Sequence, residues 1–300
     1  MKKIIFICIL FVSNVFAEGF DPTEKSTQVI IPFAPGGSID INFKYIQRYA
    51  AQQKINLIAV YRPGAEGVIG LNRLADACTD GYCLGFTTLS SVAMHRLHEP
   101  ISSKNIQIIT NTNDVSISVV THNNSKIFSI NDLIRDVKNG RVIRAGQGSP
   151  GNRIAAEQLF SLINSSTEKI LVPYKGGAPS IIDLVGEQID IVVVPFIVAK
   201  PYVDSGRLKL LMLTSHVKFK EYKTDYVFDI FPTWENYAAN LILVNSNVDK
   251  KALAFWNTFF KQYLNENATK EQDLKDLSST AKFGETKVIE KLIQSVITKL

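Results

Sequence analysis

Cysteine, histidine and methionine are all scarce in this sequence: three, four and three respectively in 300 residues. That scarcity excludes a disulfide-dense scaffold and a cysteine-rich metal module. The histidines stand at positions 95, 98, 122 and 216. His95-Arg-Leu-His98 lacks both the i,i+4 interval and the glutamate of a zinc protease, so these side chains are expected at the surface. No stretch of five or six like charges occurs, so a basic stripe for nucleic acid is not expected. Beyond residue 17 no segment has eighteen apolar residues in a row, so no transmembrane helix is expected there and the exported chain is expected to be soluble. No tether rich in Pro, Gly or Ser divides the chain, so any two domains are joined by ordered strands. What is present, 46% hydrophobic and 20% charged residues with a formal charge of +5, suits one large or two ordinary globular domains.

The N-terminus has its own character. Lys2 and Lys3 precede an apolar stretch from Ile4 to Phe16, and Val15-Phe16-Ala17 offers a small-residue cleavage site before Glu18. By length and flanks residues 1–17 read as a secretory signal peptide, the alternative being an uncleaved N-terminal anchor. Cys8 is a poor lipidation site because bulky Ile7 precedes it. Cys78 and Cys83 flank Thr79-Asp80-Gly81-Tyr82, where Asp80-Gly81 reads as a turn able to bring two sulfurs together. An oxidising compartment favours a disulfide there over two free thiols. No nearby Cys or His completes a metal site, and neither metal nor cofactor is expected.

The periodicity is α/β throughout. Strand-like segments fall at 28–32, 56–60, 82–88, 141–145, 169–172, 189–194 and 208–214, with one long or two short strands over 106–121. Ile39, Phe43, Ile46 and Ala50 recur at helical spacing. Ser129-Ile-Asn-Asp132 has the spacing of a capping box, and 153–163 reads as an amphipathic helix. The last third reads as mainly helical, with Trp234, Tyr237 and the Trp256 cluster as core.

One pattern occurs twice. Pro32-Phe33-Ala34-Pro35-Gly36-Gly37 and Pro173-Tyr174-Lys175-Gly176-Gly177 each run from a strand end through proline, an aromatic and a short spacer to paired glycines before a helix. Converging amide N–H groups at such a turn, with the positive end of the next helix, suit a carboxylate or phosphate. An ordinary pair of strand-to-helix turns is the alternative for either loop taken singly. A third loop, Gly146-Gln-Gly148-Ser149-Pro-Gly151, fits G-x-G-x-x-G, but the next strand ends Leu171-Val172-Pro173-Tyr174 without the acidic residue a nicotinamide ribose requires. It reads as another anion-binding turn. Gln147 also breaks the G-x-S-x-G nucleophile elbow, and no catalytic set is evident, so no enzyme is expected. Arg153 and Lys175, at loop–helix junctions, either meet an anion or are simply solvated.

These residues resemble the substrate-binding receptors of tripartite tricarboxylate transporters, the Bug receptors. The matching pieces are Pro32 through Asp40, Arg62-Pro-Gly-Ala-Glu-Gly-Val-Ile-Gly70, Asp80-Gly-Tyr82, Gly148-Ser149, Ala155-Ala-Glu157, Val172 through Pro179, Asp183 through Asp190 and Pro232-Thr-Trp-Glu235, in the family's order over nearly all of the exported chain. The resemblance implies an α/β, two-lobed periplasmic-binding-protein fold of venus-flytrap, type II-like form, with a mixed sheet in each lobe. Lobe 1 is expected at 18–115 plus 216–300 and lobe 2 at 116–215, with hinge strands including 116–120 and 210–213. It implies a periplasmic monomer without cofactor that delivers a small organic carboxylate to integral membrane transporter subunits. Ligand contacts are expected from Phe33, Ala34, Pro35, Gly36, Gly37 and Asp40, from Thr88 at a strand end, from Gly148, Ser149 and Arg153, and from Tyr174, Lys175, Gly176, Gly177 and Val194.

The chain departs from the family pattern at Tyr61 for Asn, Glu66 for Gly, Arg153 for His and Val194 for Asp. Arg153 adds positive charge near the cleft and Val194 removes a partner for an ammonium, so a carboxylate without a free amine is expected. An exported sensor subunit and a secreted hydrolase are the alternatives.

Overall fold

A computed structural model describes residues 20–77, 79–163, 169–215, 218–235, 238–268 and 286–298. The signal-peptide residues 1–17, Cys78, His216 and Tyr237 lie outside them.

The chain builds two sheets, each flanked by helices. The first contains β1 (Thr27–Ile31), β2 (Leu57–Tyr61), β3 (Cys83–Thr88), β4 (Ile106–Asp114) and β11 (Ala239–Asn245), in the order β2-β1-β3-β11-β4. β1 runs parallel to β2 and β3, while β11 is antiparallel to β3 and β4. The second sheet has the order β10-β9-β5-β8-β6-β7, from β5 (Ile117–His122), β6 (Ile143–Gln147), β7 (Lys169–Pro173), β8 (Ile191–Pro195), β9 (Leu208–Leu213) and β10 (Asp225–Tyr226). Here β6 is parallel to β7 and β8, and β5 is antiparallel to β8 and β9. Both sheets are therefore mixed, as expected.

The parallel segments need helical crossovers. In the first lobe these are α1 (Ser38–Gln52) and α2 (Val68–Ala77), joined by α3 (Leu89–His98). In the second, α4 (Ile130–Lys138) links the antiparallel β5 and β6, the parallel crossovers are α5 (Pro150–Leu162), α6 (Gly177–Val185) and α7 (Phe196–Asp204), and the short α8 (Val227–Ile230) follows. α9 (Lys250–Ala268) and α10 (Thr286–Ile297) return to the first lobe. The helical face 39-43-46-50 of α1 is buried beside Leu84 and Phe86 of β3 and Trp256 of α9. Full burial of each such large apolar side chain contributes about 1.5–3 kcal/mol. The Ser129–Asp132 capping box forms: the Ser129 hydroxyl accepts from Asp132 N–H, and the Asp132 carboxylate accepts from Ser129 N–H.

Two strands carry the chain between the lobes. β4 continues through Val115-Ser116 into β5, and Ala238 leads into β11. Val115 N–H donates to the Ala238 carbonyl at 2.7 Å, so the crossovers are tied side by side.

Four expectations need correction. The return to the first lobe lies near 238, not 216: β10 extends the second sheet, and Val227 and Trp234 are buried in the second lobe's core. β9, and with it 210–213, is accordingly an interior strand of that sheet rather than a hinge. β11, unforeseen in a stretch taken as helical, is the fourth strand of the first sheet; all seven of its residues are buried, so no alternation marks it. His95 is not at the surface but 1% exposed, its Nε2 2.8 Å from the Asn72 Oδ1 on α2. Cys83 is disulfide-bonded, while its expected partner, Cys78, lies outside the described residues.

Candidate functional site: a cavity at converging helix N-termini

Both glycine loops face the same gap between the lobes. Ala34 N–H donates to the Lys175 carbonyl at 2.8 Å, one loop bonding directly to the other across the cleft. Gly36 adopts φ +80°, and a Cβ there would stand 3.3 Å from the Ala178 methyl, so the first loop needs glycine for both conformation and approach. Gly148 is tighter still: a Cβ would lie 2.3 Å from the Gly176 carbonyl carbon. The third loop thus packs directly beneath the second.

Between them lies a cavity of about 30 Å³. Its wall is made of helix starts: Gly37, Ser38 and Ile39 of α1; Thr88 and Ser90 of α3; Ser149, Gly151 and Asn152 of α5; Gly176 and Gly177 of α6; and Pro195 preceding α7. The rest comes from Phe33, Gly148, the crossover residues Val115, Ile117, Ala238 and Ala239, and Asn240. No ionisable side chain is among these lining residues.

The caps distinguish the helices. At α3 and α5 a side chain occupies the first turn: Thr88 Oγ1 accepts from Ser91 N–H, and Ser149 Oγ accepts from Asn152 N–H. At α1 and α6 the N-cap is glycine and no side chain caps the turn. First-turn N–H groups have no partner inside their helix, so these two turns present donors, with the positive ends of their dipoles, to whatever fills the cavity. The Asn152 side chain, 4% exposed, adds a further polar group at the wall. A carboxylate placed here would gain charge-assisted bonds from main-chain amides without a counter-ion side chain.

Of the expected ligand contacts, Phe33, Gly37, Thr88, Gly148, Ser149, Gly176 and Gly177 line this cavity. Tyr174 and Lys175 instead line an adjoining cavity of about 280 Å³, which shares Phe33, Gly148 and Ser149 with the first and includes Glu66 and Gln147. Ala34, Pro35 and Gly36 shape the loop without lining either cavity. Asp40 works from behind. Its carboxylate accepts from Gly36 N–H at 2.8 Å and from the Tyr61 hydroxyl at 2.6 Å, fixing the loop and occupying the Gly36 amide. Burial, then the bond to Asp40, push Tyr61 up to about 12. The second lobe repeats the device in Tyr174, whose hydroxyl donates to Asp183 and which is likewise pushed up to about 12, chiefly by burial.

Arg153 does not reach the cavity wall. Its Nε lies 3.3 Å from Glu66 Oε1 on the other lobe and its terminal nitrogen 3.3 Å from Glu157 Oε1. The positive charge expected in the cleft is therefore already paired. Val194 is fully buried under α6, where a Cβ on Gly177 would meet it at 2.6 Å. Ser38, Ser90, Asn152, Pro195 and Asn240 went unforeseen. Ser38, Asn152 and Pro195 are marked in sequence only as residues opening a helix after a strand, while Ser90 and Asn240 carry no comparable signal.

Two α/β lobes, joined by paired strands around a cavity walled by helix N-termini, have the architecture of a two-lobed binding-protein fold. Residues 46–223 match the model of the tripartite tricarboxylate transporter family receptor, and the chain belongs to that family. It is 28% identical over 207 residues to Protein BugT of Bordetella pertussis, covering 64% of this chain and 61% of that protein. The chain thus spans less than two thirds of the length of the curated relatives it matches. Its fold matches periplasmic binding protein BugD with a TM-score of 0.79 at 18% identity, over 92% of this chain and 95% of that one. MatC from Rhodopseudomonas palustris with bound malate gives 0.79 at 16% identity, over 91% and 98%. Among the described residues no helix is long and apolar enough to cross a membrane.

Proposed function

We propose that this protein, once exported to the periplasm, captures a small organic carboxylate between its lobes and presents it to the integral membrane subunits of a tripartite tricarboxylate-type transporter, acting as a binding receptor without catalysis. The observation carrying this reading is the cavity wall: glycine-capped first turns of α1 and α6 from opposite lobes, with no ionisable side chain. Malate, bound by MatC, shows that a protein of the same fold holds a small organic carboxylate. Because each lobe supplies one of the two glycine-capped turns, an acid held by both favours the closed arrangement, and closure is the signal a membrane partner reads.

The test is a thermal-shift and calorimetric panel of carboxylates, amines and sugars on the purified protein. A carboxylate at a hundredfold excess over its Kd adds about 2.7 kcal/mol of stability. Stabilisation by amines or sugars with none by carboxylates would overturn the reading. Reconstitution with membrane subunits encoded beside the receptor tests delivery: uptake that depends on the receptor supports it, and uptake unaffected by its omission overturns it.

A further inference from the structure

Building on the carboxylate reading, we infer that the site selects monocarboxylates with a short apolar tail over dicarboxylates, and that Glu66 sets this choice by holding the guanidinium a second carboxylate would need.

The cavity supplies one polar region and one apolar region. The helix starts and the Asn152 amide provide the first, while Phe33, Val115, Ile117, Ala238 and Ala239 provide hydrocarbon. A carboxylate head is satisfied by the N–H groups; since the cavity measures about 30 Å³ as the lobes stand, they part to admit a tail of a few carbons, which then replaces water against the apolar residues. A second carboxylate inside would be desolvated without a counter-ion, which is strongly unfavourable.

Its other route is the adjoining cavity, which shares the wall residues Phe33, Gly148 and Ser149 with the first. There it meets Glu66, a like charge, on one part of the wall and the exposed Lys175 on another. The Arg153 guanidinium beside it is shared between Glu66 and Glu157, at 3.3 Å each. Lys175 is exposed, so its charge is screened by water. Glu66 and Arg153 come from opposite lobes, so their pair forms as the lobes meet, and a dicarboxylate competes with Glu66 at the closing step. Specificity then rests on a repulsive group as well as on attractive ones.

The experiment is calorimetry on the purified protein with acids matched in length: propionate and malonate, butyrate and succinate, valerate and glutarate. The monoacid of the best pair is expected to bind at least about tenfold tighter than its diacid. Glu66→Gln, which keeps size and removes charge, is expected to narrow that ratio at least about tenfold, chiefly by tightening the diacid. Arg153→Gln, which leaves Glu66 uncompensated, is expected to widen it. That second variant carries the test if the first does not fold, since Glu66 sits at φ +52°. Diacids binding as tightly as monoacids in the unaltered protein, or a ratio that neither variant moves, would overturn the inference. Binding of no acid in any pair, alongside binding of an amine or sugar, would instead overturn the carboxylate reading beneath it.

Discussion

Asp40 gives the sharpest test of how the first glycine loop is held. It is 3% exposed and accepts two hydrogen bonds, from Gly36 N–H and the Tyr61 hydroxyl. Lys44, 3.5 Å away on the next helical turn, has an exposed side chain and adds little. Bonds to a charged acceptor contribute about 1.5–3 kcal/mol each. Water can replace the partner at Gly36, which is exposed, but not readily at the half-buried Tyr61. Asp40→Ala should therefore cost about 2–4 kcal/mol, read as a fall in Tm of about 4–12 °C for a chain of this size. The same loop carries Gly37, the cap of α1, so affinity for the bound acid should fall at least about tenfold, more than instability alone produces at a temperature where the variant is folded. Asp40→Asn keeps an acceptor for one donor and offers its amide nitrogen to the tyrosine oxygen, so it should lose less than half as much in both measurements. A double-mutant cycle with Tyr61→Phe should show a coupling of about 1 kcal/mol or more. Strict additivity, or an alanine variant with unchanged Tm and acid affinity, would refute the positioning role.

Other consequences follow from close packing and from titration. Gly148→Ala places a methyl 2.3 Å from the Gly176 backbone, so it should destabilise the protein by about 1–3 kcal/mol and abolish acid binding while leaving far-UV circular dichroism native. Tyr61 and Tyr174 are both pushed up to about 12 from 10, so the unfolded chain loses these protons first as pH rises. Stability should therefore fall between about pH 10 and 12, and Tyr61→Phe with Tyr174→Phe should flatten that fall in chemical denaturation. His95 is held below its ordinary value mainly by burial, so the unfolded state takes up its proton first on acidification. Stability should decline as pH drops below about 6.5, and His95→Gln, which retains a donor for Asn72, should remove that component.

Strands with clear apolar runs and the two glycine loops were legible because each is local: β1 and α1 declare themselves through Ile30-Ile31, Gly36-Gly37 and the 39-43-46-50 spacing. The cavity's composition was legible in part for the same reason, since a strand-to-helix turn marks a helix N-terminus wherever it occurs. Features that depend on a distant partner were not. Arg153 reads as a free cation until Glu66, 87 positions away, is found beside it. His95 reads as a surface residue until the Asn72 amide makes its burial affordable. β11 has apolar neighbours on both faces, which erases alternation, and its place between β3 and β4 follows from long-range pairing alone. The second lobe boundary moved because two residues of β10, too short to signal a strand, extend the second sheet.

The most direct test of the account is a crystal structure of the protein grown with the acid that stabilises it most. The acid's carboxylate oxygens should lie within hydrogen-bonding distance of main-chain N–H groups in the first turns of α1 and α6, with no lysine or arginine side chain touching them. A carboxylate seated instead on Arg153 or Lys175, or bound away from the interlobe cavity, would contradict it.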